Sequence, residues 1–131
     1  MSNYWRGKNV LITGVNGFIG GNLAKKLICE NANVFGLVRN SNQRTLLYHE
    51  NLVKKITVVE GDIVEKDLLA RIVSEEQITN VFHLAAQVEV GVGISNPFLT
   101  FETNIKGTYC LLEAVRQYSN DVKSIVVASS D

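Results

Sequence analysis

Three glycines at a spacing of three residues, Gly14, Gly17 and Gly20, follow directly after an apolar run of strand length. Glycines in such places permit a tight turn, the close approach of a ligand to the backbone, and the close packing of a helix on a strand. A helix that begins there presents free N–H groups and the positive end of its dipole, which favour phosphate. The segment therefore predicts a site for the pyrophosphate of a dinucleotide. A glycine-rich connection without a ligand is the alternative.

The end of the second apolar run bears on which dinucleotide is favoured. A carboxylate that binds the adenosine ribose is expected about 20 residues past the glycines, but Val38 stands there. Arg39, Asn40 and Ser41 follow, and a guanidinium with two polar side chains can hold a 2′-phosphate. The sequence therefore favours NADP over NAD. Arg39 can instead be a solvated loop charge or stack on the adenine face.

Two later strand ends carry further candidate residues. Asp62 can accept a hydrogen bond from the adenine amine while Ile63 covers the ring, although Gly-Asp is also an ordinary turn pair. His83 lies within an apolar strand, so we interpret it as a hydrogen-bonded core residue and not as a catalytic base. The next segment is expected to matter through its backbone and small size, which let a cofactor lie close: Leu84, Ala85 and Ala86.

The order of the elements places these residues at one edge of a sheet. Apolar runs of strand length alternate with longer stretches of helical period, which predicts an α/β fold with a doubly wound, Rossmann-like parallel sheet. Ligands bind at the carboxyl ends of the strands in such sheets. The predicted strands, of which the first is central, cover 8–13, 33–38, 56–60, 80–84 and 123–128.

The predicted helices surround this sheet. One covers 18–30 and ends at Asn31, a weaker one covers 41–52, and a third carries Leu68, Leu69, Ile72 and Val73. Residues 85–95 are small and polar and contain glycine, which predicts a loop. A long helix follows Pro97; its face with Asn104, Gly107, Leu111 and Ala114 can approach the sheet closely. It also has an apolar stripe at helical spacing: Phe98, Phe101, Ile105, Tyr109, Leu112 and Val115.

Segments along nearly the whole chain are similar to the extended branch of the short-chain dehydrogenase/reductase superfamily. Residues 13–20 (TGVNGFIG) resemble its TGxxGFIG phrase, 61–63 (GDI) its adenine-side turn, and 82–87 (FHLAAQ) its cofactor loop. Asn96-Pro97, Thr103-Asn104, Gly107-Thr108 and 111–114 (LLEA) resemble the long helix of its nucleotide-sugar epimerases and dehydratases. Ala86-Gln87 with 100–104 (TFETN) resembles the CDP-glucose and GDP-mannose 4,6-dehydratases in particular.

The resemblance implies a dinucleotide site assembled from these segments, without a metal. Asn104 either ties down a neighbouring loop near the active site, as the resemblance implies, or caps local backbone. The residues expected to bind the cofactor are Gly14, Asn16, Gly17, Phe18, Ile19, Gly20, Arg39, Asn40, Asp62, Ile63, Leu84, Ala85, Ala86, Gln87 and Asn104.

The resemblance also implies the chemistry. Enzymes of this branch transfer a hydride between a sugar carbon and nicotinamide, using a Ser or Thr after the fifth strand and a downstream Tyr-x-x-x-Lys pair whose Lys lowers the Tyr pKa. Ser130 matches the former, and Asp131 matches the general acid that acts when water leaves the sugar; a Ser-Ser-Asp strand end is also a common turn or helix cap. Val88 and Glu89 replace a frequent Ser and His, and Ser130 replaces the commoner Thr, which leaves the exact reaction open.

A nucleotide-sugar 4,6-dehydratase is therefore the first expected function, with oxidation at C4, loss of water and return of the hydride. A 4-epimerase of the same family, whose serine phrase usually lacks the Asp, and a non-catalytic dinucleotide-binding regulator are the alternatives. Neither Tyr109 nor Tyr118 is followed four residues later by Lys. We therefore expect residues 1–131 to be an incomplete Rossmann domain, cut after the fifth strand and inactive alone, with the substrate domain elsewhere in a longer parent.

Composition excludes several classes of partner. The 131 residues suit one domain, and thirteen basic residues balance thirteen acidic ones, which argues against nucleic acid and anionic membranes. Cys29 and Cys110 lack disulfide or zinc spacing, and no signal peptide or apolar span is seen, which predicts a cytoplasmic protein. A nucleotide-sugar substrate is the expected partner. The stripe on the long helix is either core or the surface of a homodimer, because the surface helices of the resembled enzymes pair into bundles.

Overall fold

A five-stranded parallel sheet forms the centre of the structure. The computed structural model describes residues 3–40 and 44–129. The strands are β1 (Asn9–Thr13), β2 (Asn33–Val38), β3 (Thr57–Glu60), β4 (Asn80–His83) and β5 (Ser124–Val127). They lie in the order β3-β2-β1-β4-β5, and every neighbouring pair is parallel. This order reverses beside β1 and confirms both the predicted fold and the central first strand.

Helices cover both faces of the sheet. They are α1 (Phe18–Cys29), α2 (Leu46–His49), α3 (Lys66–Glu75), α4 (Val90–Ser95), α5 (Pro97–Phe101) and α6 (Gly107–Tyr118). A 3-10 helix, Leu52–Lys55, follows α2, and a π turn, Glu102–Lys106, joins α5 to α6, so that 97–118 form one long helix. Within the described parts of the chain, no helix combines the length and the apolar character needed to cross a membrane.

Strand β1 is buried on both faces, which explains its unbroken apolar sequence. Val10 and Ile12 face one core cluster, which contains Ala24 and Leu27 of α1. Leu11 faces the other cluster, which α3 and α6 build with Leu69, Ile72, Leu111 and Ala114. Val10, Leu11 and Ile12 are all 0% exposed, and burial of each such side chain is worth about 1.5–3 kcal/mol. The carboxyl end of β1 is therefore firmly held where the glycine segment begins.

The long helix approaches the sheet through small residues, as predicted. Gly107 and Ala114 are buried, and a Cβ at Gly107 would lie 2.5 Å from Cγ2 of Ile63. The apolar stripe lies on another face. Val115 packs on the core, but the other five members are exposed: Phe98, Phe101, Ile105, Tyr109 and Leu112. Their interpretation as core is wrong, because a helical period marks an apolar face without showing which face meets the sheet.

Two predicted segments differ from the structure. The helix predicted over 41–52 is reduced to α2, which ends before Asn51 takes a left-handed φ of 56°; residues 41–43, with Ser41, lie outside the described residues. The second half of the loop predicted over 85–95 is α4, whose Ser95 hydroxyl donates to the Gly91 carbonyl at 2.9 Å. Each glycine lowers helix propensity by about 1 kcal/mol relative to alanine, so a short helix with two glycines has a loop-like sequence.

Candidate functional site

An open cleft of about 920 Å³, called here the main cleft, lies at the carboxyl ends of the strands. It is lined by Gly14, Asn16, Gly17, Phe18, Ile19, Gly20, Leu37, Arg39, Asn40, Gly61, Asp62, Ile63, Leu84, Ala85, Ala86, Val88, Glu89, Thr103, Ala128 and Ser129. These include every residue predicted to bind the dinucleotide except Gln87 and Asn104. The structure thus brings these residues together, and their binding role stays a prediction.

The turn after β1 is built from glycines that have no room for a side chain. Gly14 takes a left-handed φ of 71°, and a Cβ there would lie 2.8 Å from the backbone nitrogen of Ala85. A Cβ at Gly20 would overlap the carbonyl group of Gly14. Gly17, in contrast, is exposed and caps α1 without a side-chain hydrogen bond. The first-turn N–H groups of α1 therefore meet the main cleft without a capping side chain, as a phosphate site requires.

The end of β2 borders the same cleft. Val38 is 1% exposed and supplies no carboxylate, whereas Arg39 and Asn40 are exposed. The Asn16 side-chain amide donates to the carbonyl of Asn40 at 3.1 Å and ties the glycine turn to the end of β2. Asn16 is therefore engaged with backbone, a role that its sequence position did not indicate.

The turn after β3 holds Asp62 and Ile63 at the cleft. Oδ1 of Asp62 accepts from the Val64 N–H at 3.2 Å, and Oε1 of Glu65 accepts from the Asp62 N–H at 2.8 Å. The ordinary turn role of the Gly-Asp pair is therefore present. Ile63 is only 4% exposed, because its side chain belongs to the core and packs on Gly107. It offers little surface with which to cover an adenine ring.

Asn104 fixes the segment after β4 to the π turn. The Gln87 N–H donates to Oδ1 of Asn104 at 2.7 Å, and Nδ2 of Asn104 donates to the Gln87 carbonyl at 3.1 Å. Of the two roles left open for Asn104, the structure shows that it ties down a neighbouring loop. It also borders an adjoining cavity of about 200 Å³, together with His83, Leu84, Ala85, Ala86, Thr108 and Ala128. The segment Leu84–Ala86 forms one wall of the main cleft. Gln87 and Asn104 hold the end of this segment in place.

His83 is a hydrogen-bonded core residue, as the sequence predicted. It is 3% exposed. Its Nδ1 lies 2.7 Å from Oγ1 of Thr13, and its Nε2 lies 2.9 Å from Oγ1 of Thr108. Burial lowers the pKa of His83, because the charged ring loses its hydration.

The two predicted catalytic residues, Ser130 and Asp131, lie outside the described residues. The chain reaches them from β5 through Ala128 and Ser129, which line the main cleft. Their roles stay predictions. Over residues 3–40 and 44–129, no group of three or more His, Cys, Asp or Glu side chains is placed to hold a metal ion.

Sequence reasoning missed several features of the site. Leu37, Gly61, Ala128 and Ser129 line the main cleft, and their signal was a position at or just after the end of a parallel strand. Thr103, which is 8% exposed, lines it one residue before Asn104. Only the assignment of 97–118 to a single helix beside the cleft could have suggested this residue.

A Tyr-x-x-x-Lys spacing also occurs near the amino terminus, at Tyr4 and Lys8. Both residues precede β1 and therefore lie at the amino ends of the strands, away from the main cleft. Nζ of Lys8 lies 4.6 Å from the centroid of the Tyr4 ring, and the Asn80 side chain donates to the Tyr4 hydroxyl at 3.4 Å. This pair is a structural cation–π contact.

The comparisons with known proteins agree on one family. A family model described as GDP-mannose 4,6 dehydratase matches residues 11–131. The curated GDP-mannose 4,6-dehydratase sdnI of Sordaria araneosa is 39% identical over 111 residues, which cover 85% of this chain and 20% of that protein. The CDP-glucose 4,6-dehydratase of Salmonella typhimurium is 35% identical over 132 residues, which cover 98% of this chain and 36% of that protein.

A solved structure gives the same picture at the level of the fold. Thermus thermophilus UDP-glucose 4-epimerase in complex with NAD matches with a TM-score of 0.79 and 36% identity, over 93% of this chain and 37% of that one. The chain spans less than two fifths of the length of each of these three proteins.

We expect stability to decrease below the ordinary histidine pKa of 6.5 because folded His83 stays neutral there. Since folding lowers this pKa, the unfolded chain takes up a proton first as the pH falls. The free energy of unfolding then decreases from pH 6.5 down to the folded pKa. His83 changes the free energy of unfolding by at most about 1.4 kcal/mol per pH unit. Urea denaturation between about pH 7.5 and about pH 5.5 measures it.

Two variants isolate this effect. His83→Asn removes the titrating ring, so its free energy of unfolding changes less over this range. His49→Asn, at an exposed histidine, is the control for loss of a histidine elsewhere in the chain. Equal pH dependence in wild type and His83→Asn contradicts the prediction.

Proposed function

Since the chain belongs to the GDP-mannose 4,6 dehydratase family, we propose that it is the cofactor-binding part of an NAD(P)-dependent nucleotide-sugar 4,6-dehydratase. Two of its relatives carry this activity in their names. Residues 1–131 form the Rossmann domain in this proposal, and a longer protein supplies the Tyr-x-x-x-Lys pair and the substrate domain. The greater length of the relatives supports that division.

The observation that carries the proposal is the glycine turn at the main cleft. A Cβ at Gly14 or Gly20 would collide with backbone, but a Cβ at Gly17 meets only the Gly14 carbonyl oxygen, at 3.2 Å. The backbone of Gly17 is therefore open to the cleft, and the first turn of α1 has no acidic residue to repel an anion. These features fit the pyrophosphate of a dinucleotide.

Different residues of the chain have different roles in such a reaction. When bound, a nicotinamide dinucleotide would supply the hydride acceptor for oxidation at C4 of the sugar and the hydride donor for the return step. The amides at the start of α1 bind the phosphates, and the Leu84–Ala86 backbone forms the facing wall. Ser130 donates a hydrogen bond to the oxygen at C4. The proton of the C4 hydroxyl goes to the Tyr of the longer protein's Tyr-x-x-x-Lys pair. Asp131 gives its proton to the hydroxyl leaving C6 as water, while a basic side chain of the longer protein takes the proton from C5 and a C5–C6 double bond forms.

Gly17→Ala tests the binding site itself. We expect the protein to fold, because Gly17 has a φ of −76° that alanine adopts. We expect dinucleotide affinity to fall at least about tenfold, because the added methyl occupies the space of a phosphate. Isothermal titration of the full-length protein measures this. Gly91→Ala, whose Cβ meets nothing within 4 Å, is the control and keeps wild-type affinity. Unchanged binding by Gly17→Ala contradicts the proposed site.

The product identifies the reaction. Incubated with CDP-, GDP-, dTDP- and UDP-hexoses, the full-length protein is expected to form a keto sugar lighter by one water, detected by mass spectrometry. Asp131→Asn removes the general acid and slows this step about 10²- to 10⁴-fold, while Asp121→Asn changes an exposed carboxylate and has no effect.

A 4-epimerase is the second candidate, and the match to the Thermus thermophilus epimerase favours it. It gives a product of unchanged mass, and its rate does not require Asp131. Dinucleotide binding without any product indicates a regulator instead.

For the cofactor we retain a preference for NADP, supported by exposed Arg39 beside a β2 end that lacks a carboxylate. The Thermus thermophilus epimerase is a complex with NAD, so the preference needs a direct test. Arg39→Ala is expected to weaken NADP binding about tenfold and leave NAD binding unchanged, because a charge-assisted hydrogen bond to the 2′-phosphate is lost. Arg71→Ala is the control on α3. Wild-type protein that binds NAD as tightly as NADP overturns the preference.

The exposed stripe on the long helix supports a homodimer. Phe98, Phe101 and Ile105 are 71%, 60% and 56% exposed, and Tyr109 and Leu112 continue the same face. Large apolar side chains exposed along one helix suit an isologous contact with a second copy. Ile105→Glu is expected to convert dimers to monomers in analytical ultracentrifugation, whereas Arg71→Glu is not. A monomeric wild type contradicts the dimer.

We also propose a cytoplasmic location. Neither Cys29, which is exposed, nor Cys110, which is buried, forms a disulfide. Unpaired thiols are typical of a reducing compartment.

A further inference from the structure

A continuous path of hydrogen bonds runs behind the cleft wall through His83. Thr13, at the end of β1, lies 2.7 Å from one ring nitrogen, and Thr108, in α6, lies 2.9 Å from the other. The Thr108 hydroxyl continues to the carbonyl of Asn104 at 2.7 Å, and the Asn104 side chain binds both backbone groups of Gln87. The path therefore joins β1, β4, the long helix and the segment after β4.

The Thr13 end of the path fixes the direction of its hydrogen bonds. The Ala85 N–H donates to Oγ1 of Thr13 at 3.1 Å, and the Leu84 N–H is shared between Oγ1 at 3.1 Å and the Thr13 carbonyl at 3.2 Å. A hydroxyl has two lone pairs and one hydrogen. Because both N–H groups approach the hydroxyl oxygen as donors, its hydrogen is directed to the remaining neighbour, Nδ1 of His83, which therefore carries no hydrogen.

The hydrogen bonds of Thr108 independently determine which ring nitrogen of His83 carries the hydrogen. The carbonyl of Asn104 can only accept, so the Thr108 hydroxyl donates to it. Oγ1 of Thr108 is then left as an acceptor for His83, whose Nε2 must carry the hydrogen. Two ends of the path thus require one tautomer of the ring.

We propose that His83, held neutral with its hydrogen on Nε2, is a positioning residue that locks the Leu84–Gln87 segment against β1 and the long helix. Where it concerns dinucleotide affinity, this inference rests on the proposed function. Every hydrogen bond of this lock joins two groups of the protein, so the lock holds the backbone wall of the main cleft in one shape by itself. Preorganisation of this kind lowers the ordering cost of binding.

A role of His83 in proton transfer is incompatible with this geometry. Both ring nitrogens are engaged by hydroxyl groups, and the Thr13 hydroxyl oxygen also accepts from Leu84 and Ala85. Protonation of Nδ1 would place a third donor on Thr13, which has two lone pairs. The ring therefore holds its neighbours in place and does not exchange protons with a substrate.

The tautomer can be observed directly. In the full-length protein labelled with 15N in histidine, two-bond 1H–15N spectra at neutral pH are expected to show a bare Nδ1 and a protonated Nε2 for His83. The signal is assigned by its absence in His83→Asn. A protonated Nδ1, or a fast mixture of the two tautomers at His83, overturns the proposal.

The lock is tested at Thr108, which is not in the main cleft. Thr108→Val keeps the shape and removes the hydroxyl, while Thr108→Ser restores the hydroxyl. In Thr108→Val we expect amide exchange at Leu84, Ala85 and Gln87 to accelerate about tenfold relative to the β1–β2 ladder, and dinucleotide affinity to fall about tenfold. Thr108→Ser is expected to return both toward wild type. Unchanged exchange in Thr108→Val, or no rescue by serine, overturns the proposal.

Different measurements test the hydrogen bonds of His83 and the binding of a dinucleotide. The ring spectra and amide exchange need no ligand, so they report on the lock even if the wild type binds neither NAD nor NADP. Such a failure to bind overturns the proposed function alone. Accelerated exchange with unchanged dinucleotide affinity overturns the claim that the lock serves binding.

Discussion

The cleft depends on backbone contact between two neighbouring loops. Gly14, after β1, lies so close to Ala85, after β4, that even one methyl group at Gly14 would come within 2.8 Å of the Ala85 nitrogen. From this meeting point the chain runs to α1 on one face of the sheet and toward the long helix on the other. The opening between the two paths is the main cleft. The Thr13 hydroxyl holds the same loops together by accepting from Leu84 and Ala85.

The surface of the main cleft and the residues that hold it in place differ in chemical character. At Gly14, Gly17, Gly20, Ala85 and Ala86 the cleft surface is backbone and small side chains, which need no rotamer ordering when a ligand arrives. The polar side chains Thr13, His83, Asn104 and Thr108 lie behind it and bind one another or the backbone. Throughout the described residues, no buried side-chain nitrogen or oxygen lacks a hydrogen-bond partner. The wall is therefore stiff without presenting competing charges.

The sequence predicts most of the sheet because each strand is a short apolar run with a clear boundary. The glycine turn is equally predictable from the sequence, since Gly14 and Gly20 stand where any side chain would collide. Long-range packing cannot be predicted from the sequence in this way. The exposed stripe on the long helix, the burial of Ile63 against Gly107 and the bond from Asn16 to Asn40 all depend on which distant segment lies opposite. A local pattern carries no such information, and α4 shows that even a local propensity misleads for one short helix.

The π turn changes the angular positions of the side chains in one half of the long helix relative to the other half. An α-helix turns about 100° per residue, and a single π turn adds one residue to the circuit. Phe98 and Phe101 precede this extra residue, and Tyr109 and Leu112 follow it, yet all four are exposed. If residues 102–106 formed regular α-helix with every residue kept, the two halves would be rotated by about 100° against each other. Either the hydrogen bonds between Asn104 and Gln87 or the common exposure of Phe98, Phe101, Tyr109 and Leu112 would then be lost, so the π turn allows one helix to keep both.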